Sequence, residues 1–275
     1  MSNHRNRPEV SDLRSIAHTA KEIVKQAIKK TQLLPSVYKI THPSKESFSC
    51  PICHYHGPFA DLSPETGRRK HAKCPCCGAR ERHRLQFVVM NSLADKYDFS
   101  TLSLLHFAPE TCFRGFFEDW FGNYSTADLR RRGVDHNVDL TDLPFSDQAY
   151  DCVYASHVLE HIKDDRKALS EIRRILKPGG FAILPVPLVA KLTVEYPAPN
   201  PHESGHVRAP GFDYLQRYEE FFDSVEEYGT EDYPTEYQLY IYEDRSSWPT
   251  ETMPLRPPMR GDRHVDKVPV CHVRK

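Results

Sequence analysis

Two pairs of cysteines limit what this chain can fold into more than any other feature. Cys50-Pro-Ile-Cys53 is followed, 20 residues on, by Cys74-Pro-Cys-Cys77, and five of the eight cysteines lie between Cys50 and Cys77. C-x2-C…C-x2-C at this spacing is the pattern of a zinc ribbon. Each pair sits on a tight knuckle, and four thiolates close a tetrahedral shell around Zn²⁺, which makes the ion structural. Gly78 follows the second pair as a turn residue would. The expected ligands are Cys50, Cys53, Cys74 and Cys77; Cys76, His54, His56 and His71 are near enough in sequence to substitute. Metal binding is folding energy for so small a unit, so loss of zinc is expected to unfold the ribbon ahead of the rest.

The 275 residues leave room for one or two domains with a sizeable core. With 39% apolar and 27% charged residues, a fibrous or disordered chain is excluded. Lys+Arg (37) and Asp+Glu (38) leave a net charge of −1, so global charge implies no polyanion partner. Local charge differs: Arg68, Arg69, Lys70, His71 and Lys73 precede the second cysteine pair, and Arg80, Arg82, His83 and Arg84 follow it. A basic ribbon suggests contact with phosphate or RNA. The competing reading is a solvated loop plus a helix start whose arginines pair with Glu81 or with the next domain, since no aromatic residues interleave for base stacking. No apolar run approaches the roughly 18 residues of a membrane span. The N-terminus lacks the apolar core of a signal peptide. No membrane insertion and a cytoplasmic location are expected.

Residues 11–34 carry Ile16, Ala20, Ile23, Ala27 and Ile28 at helical spacing, an apolar stripe for packing. Residues 41–49 read as a linker. From about residue 100, short β-rich runs alternate with helical patterns. Strands are expected at 102–107, 124–128, 150–155 and 180–186, with helices at about 111–121 and 157–176. That alternation predicts an α/β fold with right-handed crossovers and a mostly parallel sheet. Residues 187–211 are Pro-rich and read as irregular; 222–228, 237–243 and 268–274 are late strand candidates. The expected organisation is an N-terminal helical segment (1–40), a zinc ribbon (46–86) and an α/β domain (95–275).

Two stretches carry a family resemblance. VDLTDLPF (138–145) leads into AYDCVYASHVLEHI (149–162), and ALSEIRRILKPGG (168–180) leads into FAILPVP. Together they resemble class I S-adenosylmethionine-dependent methyltransferases, specifically the type 11 methyltransferase domain, over roughly residues 100–186. A zinc ribbon ending in ERHR, followed by LHFAPE, is also similar to a bacterial subgroup of that family in which a later H-V-R occurs; His206-Val207-Arg208 fits it. The resemblance implies a Rossmann-like seven-stranded sheet, S-adenosylmethionine as cofactor and methyl transfer to a small polar acceptor such as a sugar, or to RNA. The alternative is a methyltransferase-like scaffold that binds a partner without catalysis.

The resemblance assigns Asp128, ending the second strand, to the cofactor ribose, and Asp139 with Leu140 to the adenine. Either aspartate can equally serve as a cap or turn residue. One departure stands out. Where the family has D/E-x-G-x-G after its first strand, this chain has His106-Phe107-Ala108-Pro109-Glu110-Thr111, with no glycine. Proline fixes φ and lacks an N–H, so the loop cannot copy the usual contacts: either the pocket is rebuilt or the domain has lost the cofactor. In a rebuilt pocket Glu110 is the candidate for the cofactor ammonium, with the backbone at Phe107 and Ala108 as lining. Lys177-Pro-Gly-Gly180 reads as a helix stop before a strand. His157-Val-Leu-Glu160-His161 also matches the H-x-x-E-H pattern of inverted zinc proteases, but it directly follows a strand, in register with the methyltransferase LEH. Glu160 and His161 are then expected to buttress the cofactor pocket. Proton removal from an acceptor suits a histidine near neutral pH; the candidates are His157, and His206 with Arg208. The other reading of His206 is an anchor for a Pro-rich loop.

Overall fold

A computed structural model describes residues 33–64 and 67–275. The helix expected over 11–34 lies outside the described residues apart from its last two positions. The described residues open with helix α1 (Leu33–Thr41). Four short strands follow: β1 (Ser47–Ser49), β2 (His56–Pro58), β3 (Ala60–Leu62) and β4 (Arg69–Lys73). Part of the expected linker is therefore β1, paired antiparallel with β2. Helix α2 (Glu81–Ala94) leads out of the cysteine region.

The strand–helix rhythm then begins with β5 (Ser103–Phe107), α3 (Thr111–Trp120), β6 (Asn123–Asp128), β7 (His136–Asn137) and β8 (Tyr150–Ala155). It continues with α4 (Asp165–Ile175) and β9 (Leu176–Ile183). A hairpin, β10 (Val194–Asn200) and β11 (His206–Ala209), occupies the segment expected to be irregular. The short helix α5 (Gln216–Glu219), β12 (Ser224–Gly229), β13 (Ile241–Glu243), β14 (Arg263–His264) and β15 (Lys267–His272) complete the chain.

Seven strands form one sheet in the order β12–β15–β9–β8–β5–β6–β7. The pairs from β7 through β9 are parallel, and β15 lies antiparallel between β9 and β12. This is the Rossmann-like α/β architecture. The central strand β8 reads Cys152-Val153-Tyr154-Ala155, each fully buried, because helices cover both faces. Period-two alternation divides the core. Leu104, Cys152 and Phe181 are neighbours across β5, β8 and β9 and face one cluster; Leu105, Val153 and Ala182 face the other. Helix α4 closes the second face with Ala168, Leu169, Ile172 and Ile175. The chain runs outward from β5 to β7, then returns to β8 on the other side of β5. Ligands in such sheets bind at that switch, beyond the carboxyl ends of the strands.

The cysteine region is not a free appendage. Phe48, Cys50, Phe59 and Cys74 share one core cluster with Leu85 and Val89 of α2 and with Leu104, Phe113 and Tyr154 of the sheet side. β13, from the far end of the chain, pairs antiparallel with β4 (Tyr242 opposite Lys70) and with β14, giving a second sheet of order β14–β13–β4–β3.

Two local expectations are corrected. The pattern over 157–176 is not one helix: Leu159–His161 forms a single 3₁₀ turn, and α4 starts only at Asp165, where Asp164 caps it by accepting from the Lys167 N–H at 3.1 Å. LKPGG is not a stop outside the strand either; β9 begins at Leu176 and contains it. A Cβ on Gly180 would sit 2.7 Å from the Asp151 carbonyl oxygen, so glycine is what lets β9 lie this close to β8.

Candidate functional site

The two cysteine pairs occupy matching knuckles. Cys50 N–H donates to the Tyr55 carbonyl and His54 N–H to the Cys50 carbonyl; Cys74 N–H donates to Ala79 and Gly78 N–H to Cys74. His54 and Gly78, each four residues after the first cysteine of its pair, both take positive φ (58° and 79°). The knuckles bring the Sγ atoms of Cys50, Cys53, Cys74 and Cys77 within 4.8 Å of one another. Two of the separations are 3.6 Å (Cys50–Cys77) and 3.7 Å (Cys53–Cys74). A tetrahedron with Zn–S arms of about 2.3 Å has edges of about 3.8 Å, so this donor set fits zinc. Cys76, His54, His56 and His71 are not in the group.

Beyond β5 the chain turns at Ala108, whose φ is +47°, a conformation that favours glycine. The glycine-free loop thus keeps a left-handed turn. Ala108 N–H donates to the Ala127 carbonyl at 2.8 Å, and the Arg131 guanidinium donates to the Pro109 carbonyl. Glu110 follows, nearly buried. Its Oε1 accepts from His83 Nε2 at 3.0 Å and from Arg82 Nη2 at 3.3 Å, while Oε2 is buried without a partner. Burial alone would raise its pKa, but His83 and Arg82 hold it at about 2. His83 itself is pushed below its ordinary value by burial. Its Nδ1 accepts from the Arg80 N–H at 3.2 Å, so the neutral ring carries its proton on Nε2 and Arg82 is the counter-charge. Arg82, His83, Ala108, Glu110 and Arg131 line a cavity of about 410 Å³ that Cys77 and Gly78 also wall.

The other cofactor candidates lie around the strand ends with unequal freedom. Phe107 is buried in the core at the end of β5, leaving its backbone as possible lining. Asp128, at the end of β6, is half-buried; its Oδ1 accepts from the N–H groups of Arg130 and Arg131, both at 2.8 Å. Leu129 beside it is 56% exposed, an apolar surface that sequence reading passed over. Asp139 is exposed and binds Thr141 N–H and Oγ1, both at 2.8 Å, next to buried Leu140.

A larger cleft of about 630 Å³ opens beyond β8, lined by residues from the ribbon (Arg69), the start of α2 (Arg80, Arg82), the β8 end (His157) and the late segments (His206, Arg245). Arg82 lines both cavities. His157 has φ +54° and anchors its N–H on the Pro185 carbonyl at 2.9 Å. Its Nδ1 lies 3.3 Å from Glu160 Oε1, and its Nε2 is buried without a partner. His206 faces the same cleft, with Nδ1 3.5 Å from Glu203 Oε2. Arg208 does not line it. That guanidinium is fully buried and donates to the carbonyls of Leu159 (2.6 Å), Ile162 (2.7 Å) and Lys163 (2.9 Å) and to Glu195. It positions the Leu159–His161 turn. Of the H-x-x-E-H residues, Glu160 and His161 sit on this turn and His157 precedes it with φ +54°, none of them on an α-helix, so the i, i+4 argument for a protease face does not apply.

Residues 122–184 match the family model described as a methyltransferase domain. Among curated proteins, similarity is local. A 37.1 kDa protein in transposon TN4556 of Streptomyces fradiae is 41% identical over 59 residues, 22% of this chain and 17% of that protein. A demethylmenaquinone methyltransferase of Clavibacter sepedonicus is 44% identical over 61 residues, 20% of this chain and 25% of that protein. The chain therefore spans a quarter or less of the length of these relatives. Among solved structures, an S-adenosylmethionine dependent methyltransferase from Mesorhizobium loti matches with a TM-score of 0.46 at 14% identity, over 68% of this chain and 97% of that one. Among the described residues, no helix is long and apolar enough to cross a membrane.

Proposed function

We propose that this chain, which carries a methyltransferase domain, transfers a methyl group from S-adenosylmethionine to a small, polar, anionic acceptor, and that the four cysteines hold a structural zinc. The observation that carries this reading is the left-handed turn at Ala108, beyond the first strand of a sheet with its switch point beside it. It supports a rebuilt cofactor loop in place of a lost one. Bound S-adenosylmethionine supplies a methyl group already activated on sulfonium. The protein's own tasks are then alignment and, for an oxygen or nitrogen acceptor, removal of a proton.

Asp128 would accept the ribose hydroxyls on the oxygen not used by the turn. Glu110 offers its unpartnered Oε2 to the ammonium group, with the backbone of Phe107 and Ala108 beside it. Asp139 and Leu140 would flank the adenine. His157 is the candidate base, because its Nε2 has no partner and it lines the acceptor cleft. The anionic acceptor follows from charge. Of the arginines that line the cleft, Arg69, Arg82, Arg245 and Arg256 pair with Glu81, Glu110, Glu243 and Glu203, and Arg80, which has no ion-pair partner among the described residues, is the cation left for an anion. An RNA track has less support: Arg69 pairs with Glu81 at 3.2 Å, Arg82 with Glu110, and Arg84 is buried.

Calorimetric titration with S-adenosylhomocysteine tests the reading. Wild-type protein should bind, and Asp128→Ala should weaken binding at least roughly tenfold, through loss of charge-assisted hydrogen bonds worth about 1.5–3 kcal/mol each. No binding by the wild type at millimolar ligand would reject the enzyme and leave the non-catalytic scaffold.

A further inference from the structure

Glu160 poses a physical problem that methyl transfer does not solve. The residue is 1% exposed, and neither carboxylate oxygen makes a hydrogen bond. A buried, ionised carboxylate without donors is costly unless a cation meets it. What surrounds it is imidazole. His157 Nδ1 is 3.3 Å and His206 Nε2 is 4.0 Å from Oε1, and donor atoms of Glu160, His161 and His206 all lie within 4.8 Å of one another. The rings of His161 and His206 stand perpendicular, with centroids 4.7 Å apart.

We infer that Glu160, His161 and His206 form a second metal site, for a first-row divalent cation such as zinc or iron(II), at the cleft and apart from the four cysteines. Two imidazoles and one carboxylate suit this class of ion. Three protein ligands leave coordination positions open, as in catalytic and not structural centres.

The residues behind the ligands support the same assignment. Histidines that bind metal have their other ring nitrogen held by a carboxylate or backbone group. His206 Nδ1 lies 3.5 Å from Glu203 Oε2, at ion-pair distance without a hydrogen bond, and Nε2 is the nitrogen towards Glu160. Glu203 is itself fixed by Arg256 (2.8 and 2.6 Å), Tyr196 Oη (3.0 Å) and Asn200 Nδ2 (3.0 Å). Arg208, two residues beyond His206, holds the carbonyls of Leu159 and Ile162 on either side of Glu160 and His161. One guanidinium therefore sets the distance between the strand that carries one ligand and the turn that carries the other two.

The site is tested on the full chain with cobalt(II) as the probe. Co²⁺ at four thiolates gives intense sulfur-to-metal charge-transfer absorption, whereas Co²⁺ on nitrogen and oxygen gives only weak d–d bands. Protein expressed in zinc-depleted, cobalt-supplemented medium, and so folded around Co²⁺, should carry two equivalents, one with thiolate bands and one without. Glu160→Gln and His206→Ala should each lose the second equivalent and keep the first, whose thiolate bands report that the fold survives. Glu203→Gln should weaken the second site by roughly 10–100-fold, because it removes the orienting carboxylate and no ligand. A wild type that takes up only the thiolate-bound equivalent would overturn the proposal, as would variants that retain both. The readout involves no S-adenosyl compound, so it stands or falls apart from the methyltransferase reading.

Discussion

Arg84 Nη2 donates to the Gln238 carbonyl at 2.5 Å, tying the end of the cysteine region to a segment 154 residues away. The same fully buried guanidinium donates Nε to the Tyr237 carbonyl (2.9 Å) and Nη1 to Ala72 (3.1 Å) and Ala79 (2.9 Å), and it packs 4.4 Å over the Phe59 ring. The second arginine of ERHR is thus neither a nucleic-acid contact nor a solvated side chain. It joins the cysteine knuckle, α2 and the chain before β13.

Arg84→Met should therefore destabilise the protein by roughly 3 kcal/mol or more, since several buried carbonyls lose their donor at about 1–3 kcal/mol each. Arg84→Lys should rescue little of this, because a single ammonium cannot reach four carbonyls on a fork geometry. Urea unfolding of both variants measures it. A loss within about 0.5 kcal/mol, the range of ordinary surface substitutions, would show that the clamp is not stabilising.

The shared core changes the expected consequence of zinc loss. Cys50 and Cys74 belong to the cluster that also contains Leu104, Phe113 and Tyr154. Strong chelation, or Cys50→Ser, should therefore unfold ribbon and sheet in one transition, with near- and far-ultraviolet circular dichroism lost together. Structural zinc contributes about 10–16 kcal/mol in small fingers, comparable to the whole stability of a domain at about 5–15 kcal/mol. Persistence of the helical signal after the ribbon has melted would favour separate modules.

Glu110 predicts an acid limb. Its folded pKa of about 2 lies below the ordinary 4.5, through His83 and Arg82 acting against burial. The folded state thus binds protons less readily than the unfolded state. The contribution is full above pH 4.5 and disappears as pH falls towards 2, on the order of 3 kcal/mol in all. The stability gap between wild type and Glu110→Gln should be largest near neutrality and close over that window. A gap that does not vary with pH would mean that the carboxylate is not ionised against Arg82.

Arg80 predicts anion binding in the cleft. Burial, with Arg82 and Arg69 nearby, pushes its guanidinium below the ordinary value. An anion there relieves that repulsion, so millimolar phosphate should raise the melting temperature of the wild type, and Arg80→Ala should reduce the rise. Equal shifts in both proteins would place the phosphate elsewhere.

What the sequence determined by itself is what depends on neighbours along the chain. The cysteine set follows from two-residue spacings that close a knuckle, and the strands at Ser103–Phe107, Asn123–Asp128 and Tyr150–Ala155 follow from short apolar runs between helical patterns. The tertiary structure decided whatever joins distant segments. Residues 237–243 and 268–274 are both β-rich, and nothing local separates them. Val268, Val270 and Cys271 are buried between β9 and β12, whereas Ile241–Glu243 completes the ribbon's sheet. The same holds for Glu160. In sequence it is one residue of a helical-looking motif; in the fold, Arg208 draws His206 beside it across 46 residues. Local propensity sets which backbone shapes are cheap, but burying a carboxylate among imidazoles or a guanidinium among carbonyls is a matter of who meets whom, and only the packed sheet brings those partners together.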